Sequence, residues 1–201
     1  LLDENLEFAF DDKLGYLTQC PTNLGTGMRA SVMLHLPALE KSRTIGRIAG
    51  NLSKLGLTIR GAYGEGSEPS GSLYQLSNQV TLGISGKAAI ENLENITKQL
   101  VSQERQARER LAKSIDIQDS VSRSLGLLKS AMVMTHDEAL KLLSNVRFGI
   151  LSGQIKDVTA DVVDSLMEKI EPATLMVNSG KNLSAQERDI ERAKILREAL
   201  S

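Results

Sequence analysis

The chain has 201 residues, 41% hydrophobic and 24% charged, with 24 Lys and Arg against 25 Asp and Glu. A net charge of −1 gives no bulk attraction for nucleic acid or an anionic membrane. One Cys excludes an intrachain disulfide and fits a reducing compartment, two His leave no evident metal site, and no apolar run is long enough to span a bilayer. Aromatic residues are 3% and Trp is absent, so Leu, Ile, Val, Ala and Met must fill the core. The opening stretch "LLDENLEFAFDDKLGY" lacks the basic start and cleavage site of a signal peptide. It also lacks an initiating Met and begins within a pattern, which reads as part of a longer protein.

Short β-like runs come first. "GYLTQC" (15–20), "RASVMLHL" (29–36), "LTIRGAYG" (57–64) and "SLYQLSNQVTLG" (72–83) read as strands between turn signals. Between the second and third, Ile45, Ile48, Leu52 and Leu55 recur at helical spacing and predict one helix over 38–56, ending at Gly56. These connection lengths predict an antiparallel or mixed sheet with a helix on one face, an α+β class. From about Ser85 the pattern is helical. Ile90, Leu93, Ile96, Leu100 and Leu111 mark a long amphipathic helix whose charged second half suits a solvated face or a link. Thr135 with Glu138 and Ser184 with Glu187 have capping-box spacing, and Thr159 opens a helix running to Ile170 before Pro172. The expected boundary divides 1–110 from an all-helical 111–201.

Three groups of residues are candidates for chemistry. Cys20, the only cysteine, is either a small buried hydrophobe or a thiolate held by a nearby cation. Arg29 and Arg60 are either surface charges or forked donors for phosphate oxygens. Glu65 sits among Gly61, Gly64 and Gly66, in a loop whose glycines permit close approach to a ligand. Cationic clamps and a carboxylate that orients the nucleophile are what phosphoryl transfer requires. No G-x-x-x-x-G-K-[ST] loop is present. In the last helix, Arg188 and Arg192 lie four residues apart on one face, and Ala193 lies four after Asp189. Such a face is either a set of intrahelical ion pairs or a receptor for an anion beside a cation. His35 and His136 read as structural, and the methionines as core.

"CPTNLGTGMRASV" followed by "RGAYGEGSE" resembles the phosphagen, or guanidino, kinases, including arginine and creatine kinases. The resemblance implies an antiparallel sheet with flanking helices, a partial phosphagen-kinase-like catalytic domain, followed by an all-helical domain. It places Cys20 beside the substrate guanidinium, Arg29 and Arg60 on the nucleotide phosphates, and Glu65 on the guanidinium. The nucleotide-binding stretches it implies are Arg29, Ala30, Ser31, Val32 and Met33, and Arg60, Gly61, Ala62, Tyr63, Gly64 and Glu65. ATP and Mg²⁺ are the implied cosubstrate and metal.

Met33 stands where metabolite kinases of this family typically have His, Tyr63 where they have Arg or another polar residue, and Gly66 where His is frequent. These departures, with the helical tail, are similar to the bacterial protein-arginine kinases. That likeness implies protein substrates with exposed arginines, marking for the Clp protease system and a cytoplasmic location, while the apolar faces of the helical half predict a homodimer. In that family R-D-x-x-R-A forms an allosteric phosphoarginine pocket, matched here by Arg188, Asp189, Arg192 and Ala193. The family's remaining active-site residues precede the C-P-T-N block, so these 201 residues alone are expected to transfer phosphate poorly. The alternative is a non-catalytic module for dimerisation and phosphoarginine binding.

Overall fold

The structure is a computed structural model that describes residues 4–62 and 69–201. It divides into two compact units. The first comprises residues up to 36, 40–69 and 73–103; the second comprises 37–39, 70–72 and 104–201.

The first unit opens with a two-stranded ribbon, β1 (Phe10–Asp11) and β2 (Gly15–Tyr16). Asp11 closes its turn, its Oδ1 accepting from the backbone N–H groups of Lys13 and Leu14 at 2.8 and 2.9 Å. Phe8 and Phe10 pack edge-on against Tyr16. The strand expected over 15–20 goes no further than Tyr16, because Pro21 starts a 3₁₀ turn, Pro21–Asn23, immediately after Cys20.

The main sheet has three antiparallel strands: β3 (Ser31–His35), β4 (Leu57–Gly61) and β5 (Leu73–Asn78), in the order β3-β5-β4. One face buries Leu34, Tyr74, Leu76 and Leu57. The run expected to extend to residue 83 leaves the sheet after Asn78, where the N–H groups of Gln79 and Val80 turn to the carbonyl of Gly56.

The helix expected over 38–56 is two helices, α1 (Pro37–Lys41) and α2 (Ile45–Lys54). Arg43, at φ 54°, lies in the left-handed region and breaks the ladder between them. Helix α2 buries Leu52 and packs against β4. The 26-residue α3 (Gly86–Leu111) buries Ala89, Leu93 and Leu100 in the first unit. From Glu104 it belongs to the second. There the buried Glu104 carboxylate accepts the backbone N–H groups of Ala38 and Leu39, both at 2.9 Å. Glu104→Ala leaves those donors without their acceptor and is expected to cost about 1–3 kcal/mol. Urea unfolding checks this, and an unchanged midpoint would refute the cap.

The second unit continues with α4 (Ile115–Ser130), α5 (His136–Leu151), α6 (Ala160–Lys169), α7 (Pro172–Ser179) and α8 (Ala185–Leu200). Its core contains Leu128, Leu140, Leu143, Phe148, Leu166 and Leu196. Helices α4 and α5 touch closely at Gly149, where an added Cβ would lie 2.4 Å from Val121 Cγ1. Arg147 grips Asp164 of α6 through Nε at 2.6 Å and Nη2 at 3.1 Å. Both capping signals act. Thr135 accepts from the Glu138 N–H, and Ser184 and Glu187 form a reciprocal box. Among the described residues no helix is long and apolar enough to cross a membrane.

Candidate active site

Antiparallel partners point to the same side of a sheet. The register Met33↔Gln75↔Arg60 and Ser31↔Ser77↔Thr58 therefore sets these six residues on one face, opposite the leucine face. This face is polar and open at β3. Ser31 is exposed, Met33 is 52% exposed, and Gln75 and Arg60 are half-buried. Gln75 Nε2 donates to Ser31 Oγ at 3.0 Å. Ser77 is fully buried, its hydroxyl without a hydrogen-bond partner among the described residues. Arg29 is exposed and stands two residues before β3. Of the expected nucleotide-binding stretches, Ser31, Met33 and Arg60 thus share the open face. Val32 and Gly61 pair with Leu76 and Tyr74 in the core register, and the Ala62 N–H donates to the Leu73 carbonyl. Tyr63, Gly64 and Glu65 lie outside the described residues.

Cys20 is exposed, which removes the reading of a buried hydrophobe. Its Sγ lies 3.0 Å from Thr22 Oγ1. That side-chain hydrogen bond, a second from the Thr22 backbone, and the positive charge of Arg29 outweigh slight desolvation and hold the thiol below its ordinary pKa. The hydrogen bonds are the leading cause, ahead of the cation the sequence suggested. The pH midpoint of Cys20 alkylation is expected below that of an ordinary thiol, about 8.5, and Thr22→Val is expected to raise it. Equal midpoints in the two proteins would remove Thr22 as the cause.

The loop between Cys20 and Arg29 is pinned from one side. Gly25, at φ 107°, bridges to Tyr16, and a Cβ there would lie 2.3 Å from the Thr81 carbonyl oxygen. Thr81 and Asn78, both buried, hydrogen-bond the backbone of this loop at the Thr22, Leu24 and Met28 carbonyls. Neither residue was singled out from the sequence. The available signal was Asn78 following Tyr74 and Leu76 in the every-second-residue pattern of the buried face.

In the second unit, Arg188 and Asp189 are half-buried in the first turns of α8. Arg188 donates to the Leu183 carbonyl at 2.9 Å. Arg192 differs, with a side chain only 1% exposed. Its Nε donates to the Ile170 carbonyl at 3.1 Å, and its Nη1 to the Met134 carbonyl at 2.9 Å and Asp189 Oδ1 at 2.5 Å. Ala193 is buried beside it. The arginine four residues from Arg188 is therefore an internal brace that also orients Asp189.

Among the described residues no group of three His, Cys, Asp or Glu could hold a metal ion. Mg²⁺ in nucleotide sites is commonly carried by the phosphates with one or two carboxylates. Arg60, on the polar sheet face, and Arg29, exposed just before β3, are the side chains that could pair with the phosphates carrying such a metal.

Residues 1–107 match the ATP:guanido phosphotransferase, C-terminal catalytic domain family, and the chain belongs to that family. Residues 114–201 match the protein-arginine kinase McsB C-terminal domain. The chain is 52% identical to the protein-arginine kinase of Halothermothrix orenii, over all of this chain and 58% of that protein. It is 50% identical to the protein-arginine kinase of Clostridium novyi, over all of this chain and 59% of that protein. It thus spans just under three fifths of the length of these curated relatives. A solved lombricine kinase is 36% identical over 57% of this chain and 30% of its own, with a TM-score of 0.47.

Proposed function

We propose that this chain is part of a protein-arginine kinase, which moves the γ-phosphoryl group of ATP to a guanidino nitrogen of arginine side chains in proteins. The observation that supports it most is Cys20, an exposed thiol with a lowered pKa, on a loop leading straight to Arg29 and the open sheet face. A guanidinium has almost no free lone pair, so its nitrogen must lose a proton as it attacks. Cys20 as thiolate attracts and orients that guanidinium, and Glu65 takes the proton. Arg29 and Arg60 neutralise charge on the phosphates, where preorganised donors contribute most to such reactions. Mg²⁺, when bound with the nucleotide, adds a further positive charge there.

The protein partners in this reading are substrates with exposed arginines, marked for the Clp protease system in the cytoplasm. The helical unit carries homodimerisation and an allosteric phosphoarginine site. Arg188 and Asp189 would face the ligand, and Arg192 would act through Asp189. Incubating the full-length protein with γ-labelled ATP, Mg²⁺ and an arginine-rich protein is expected to give acid-labile label on arginine. Label on serine, threonine or tyrosine alone, or none, would contradict the reading.

A further inference from the structure

The segment Asn78–Thr81, where the chain leaves β5, touches both parts of the candidate site with buried polar side chains. Asn78 is 3% exposed. Its Oδ1 accepts from the Ala30 N–H at 2.7 Å, and its Nδ2 lies 3.3 Å from both the Met28 and the Val80 carbonyls. Its own N–H donates to the Ala30 carbonyl at 3.2 Å. Met28 and Ala30 flank Arg29, so one side chain tethers the backbone on both sides of that arginine. Thr81 is 5% exposed. Its hydroxyl lies 3.0 Å from the Thr22 carbonyl and 2.7 Å from the Leu24 carbonyl, and its own carbonyl accepts the Thr26 N–H at 2.9 Å. Thr22 is the residue whose hydroxyl contacts the Cys20 thiol.

We propose that Asn78 and Thr81 are positioning residues for the transfer, Asn78 setting Arg29 against the nucleotide phosphates and Thr81 setting the Cys20 loop against the guanidinium. This rests on the roles given above to Arg29 and Cys20. Packing alone gives no reason for these residue types, since a polar group buried at a sheet edge costs free energy unless its hydrogen bonds are made. Here the side-chain bonds run to the two loops and, once, to Val80 within the segment itself. Both loops hang from one four-residue segment, so the spacing between the phosphate donor and the thiol is set by a single piece of backbone. Reactions between two bound groups depend steeply on that spacing, and a displacement of about 1 Å can cost about 10²-fold in rate.

The two residues predict different losses. Asn78→Asp keeps the acceptor for the Ala30 N–H but loses both Nδ2 donors. It is expected to weaken Mg·ADP binding about tenfold or more, measured by calorimetry, and to leave the Cys20 alkylation profile in place. Thr81→Val is expected to raise the pH midpoint of Cys20 alkylation with Mg·ADP affinity unchanged, and Thr81→Ser to restore it. Arg29 is the charged group that acts on this thiol, and both Thr81 variants retain it. Hydrogen exchange on the unmodified protein supplies a reading free of folding defects. The amides of Ala30 and Thr26 are expected to exchange slowly, and more slowly with Mg·ADP bound. Fast exchange at both amides would overturn the proposal. So would variants that lower only the unfolding temperature, or Thr81→Ser behaving as Thr81→Val. Arg29→Ala separates the levels: if it leaves Mg·ADP affinity intact, the site reading itself fails; if it lowers affinity while Asn78→Asp does not, only this inference fails.

Discussion

Arg29→Ala is expected to lower phosphoryl transfer by the full-length protein by about 10³-fold. The far-ultraviolet circular dichroism spectrum and unfolding temperature should not change. In the proposed mechanism the large kinetic effect comes from removing a forked cation from the phosphates on which charge develops. The structural indifference follows from the residue's surroundings: Arg29 is exposed and makes no hydrogen bond among the described residues. Arg29→Lys keeps the charge but not the planar fork and should fall between the two. Initial rates at saturating protein substrate check this. Turnover within a factor of a few of wild type would remove Arg29 from the phosphate site.

Arg192→Ala should have the opposite profile. The guanidinium is enclosed and holds the Met134 and Ile170 carbonyls and the Asp189 carboxylate together. Taking away one member of a buried, hydrogen-bonded charge pair leaves the others unpaired, at a cost of about 3–5 kcal/mol. The helical unit should melt at markedly lower temperature, seen by scanning calorimetry. Arg188→Ala, losing a single bond to the Leu183 carbonyl, should melt near wild type and lose affinity for phosphoarginine instead. If Arg192→Ala melts with the wild type, the brace does not exist. If Arg188→Ala binds phosphoarginine as well as wild type, the proposed phosphoarginine site at Arg188 is wrong.

Much of this is legible in the sequence, for identifiable reasons. Ser184 with Glu187 and Thr135 with Glu138 announced helix starts because capping is local chemistry, decided within four residues. The α+β order was legible because period-two and helical patterns change over near Ser85. What failed depended on contacts distant in sequence or on single backbone angles. The break at Arg43 turns on one left-handed residue that periodicity does not register. The end of β5 at Asn78 is set by the carbonyl of Gly56 in another element. Spacing grouped Arg188 and Arg192 together, yet only packing separates the half-buried one from the enclosed one. For the candidate site, the residue types Cys20, Arg29 and Arg60 were visible. The hydrogen bonds that lower the thiol pKa and the side chains that hold the loop were not, because Thr81 lies 59 residues from Thr22 and Asn78 lies 48 from Ala30.

The claim beneath these predictions is that nucleotide binds on the side of the three-stranded sheet that carries Ser31, Met33, Gln75 and Arg60. Backbone amide NMR during titration with Mg·ADP tests it most directly. Shifts should concentrate at residues 29–33, 60–62 and 75–77, with the helix face of α2 around Leu52 left unmoved. Perturbations confined to α2 and α3, or absent from the sheet at saturating nucleotide, would contradict it.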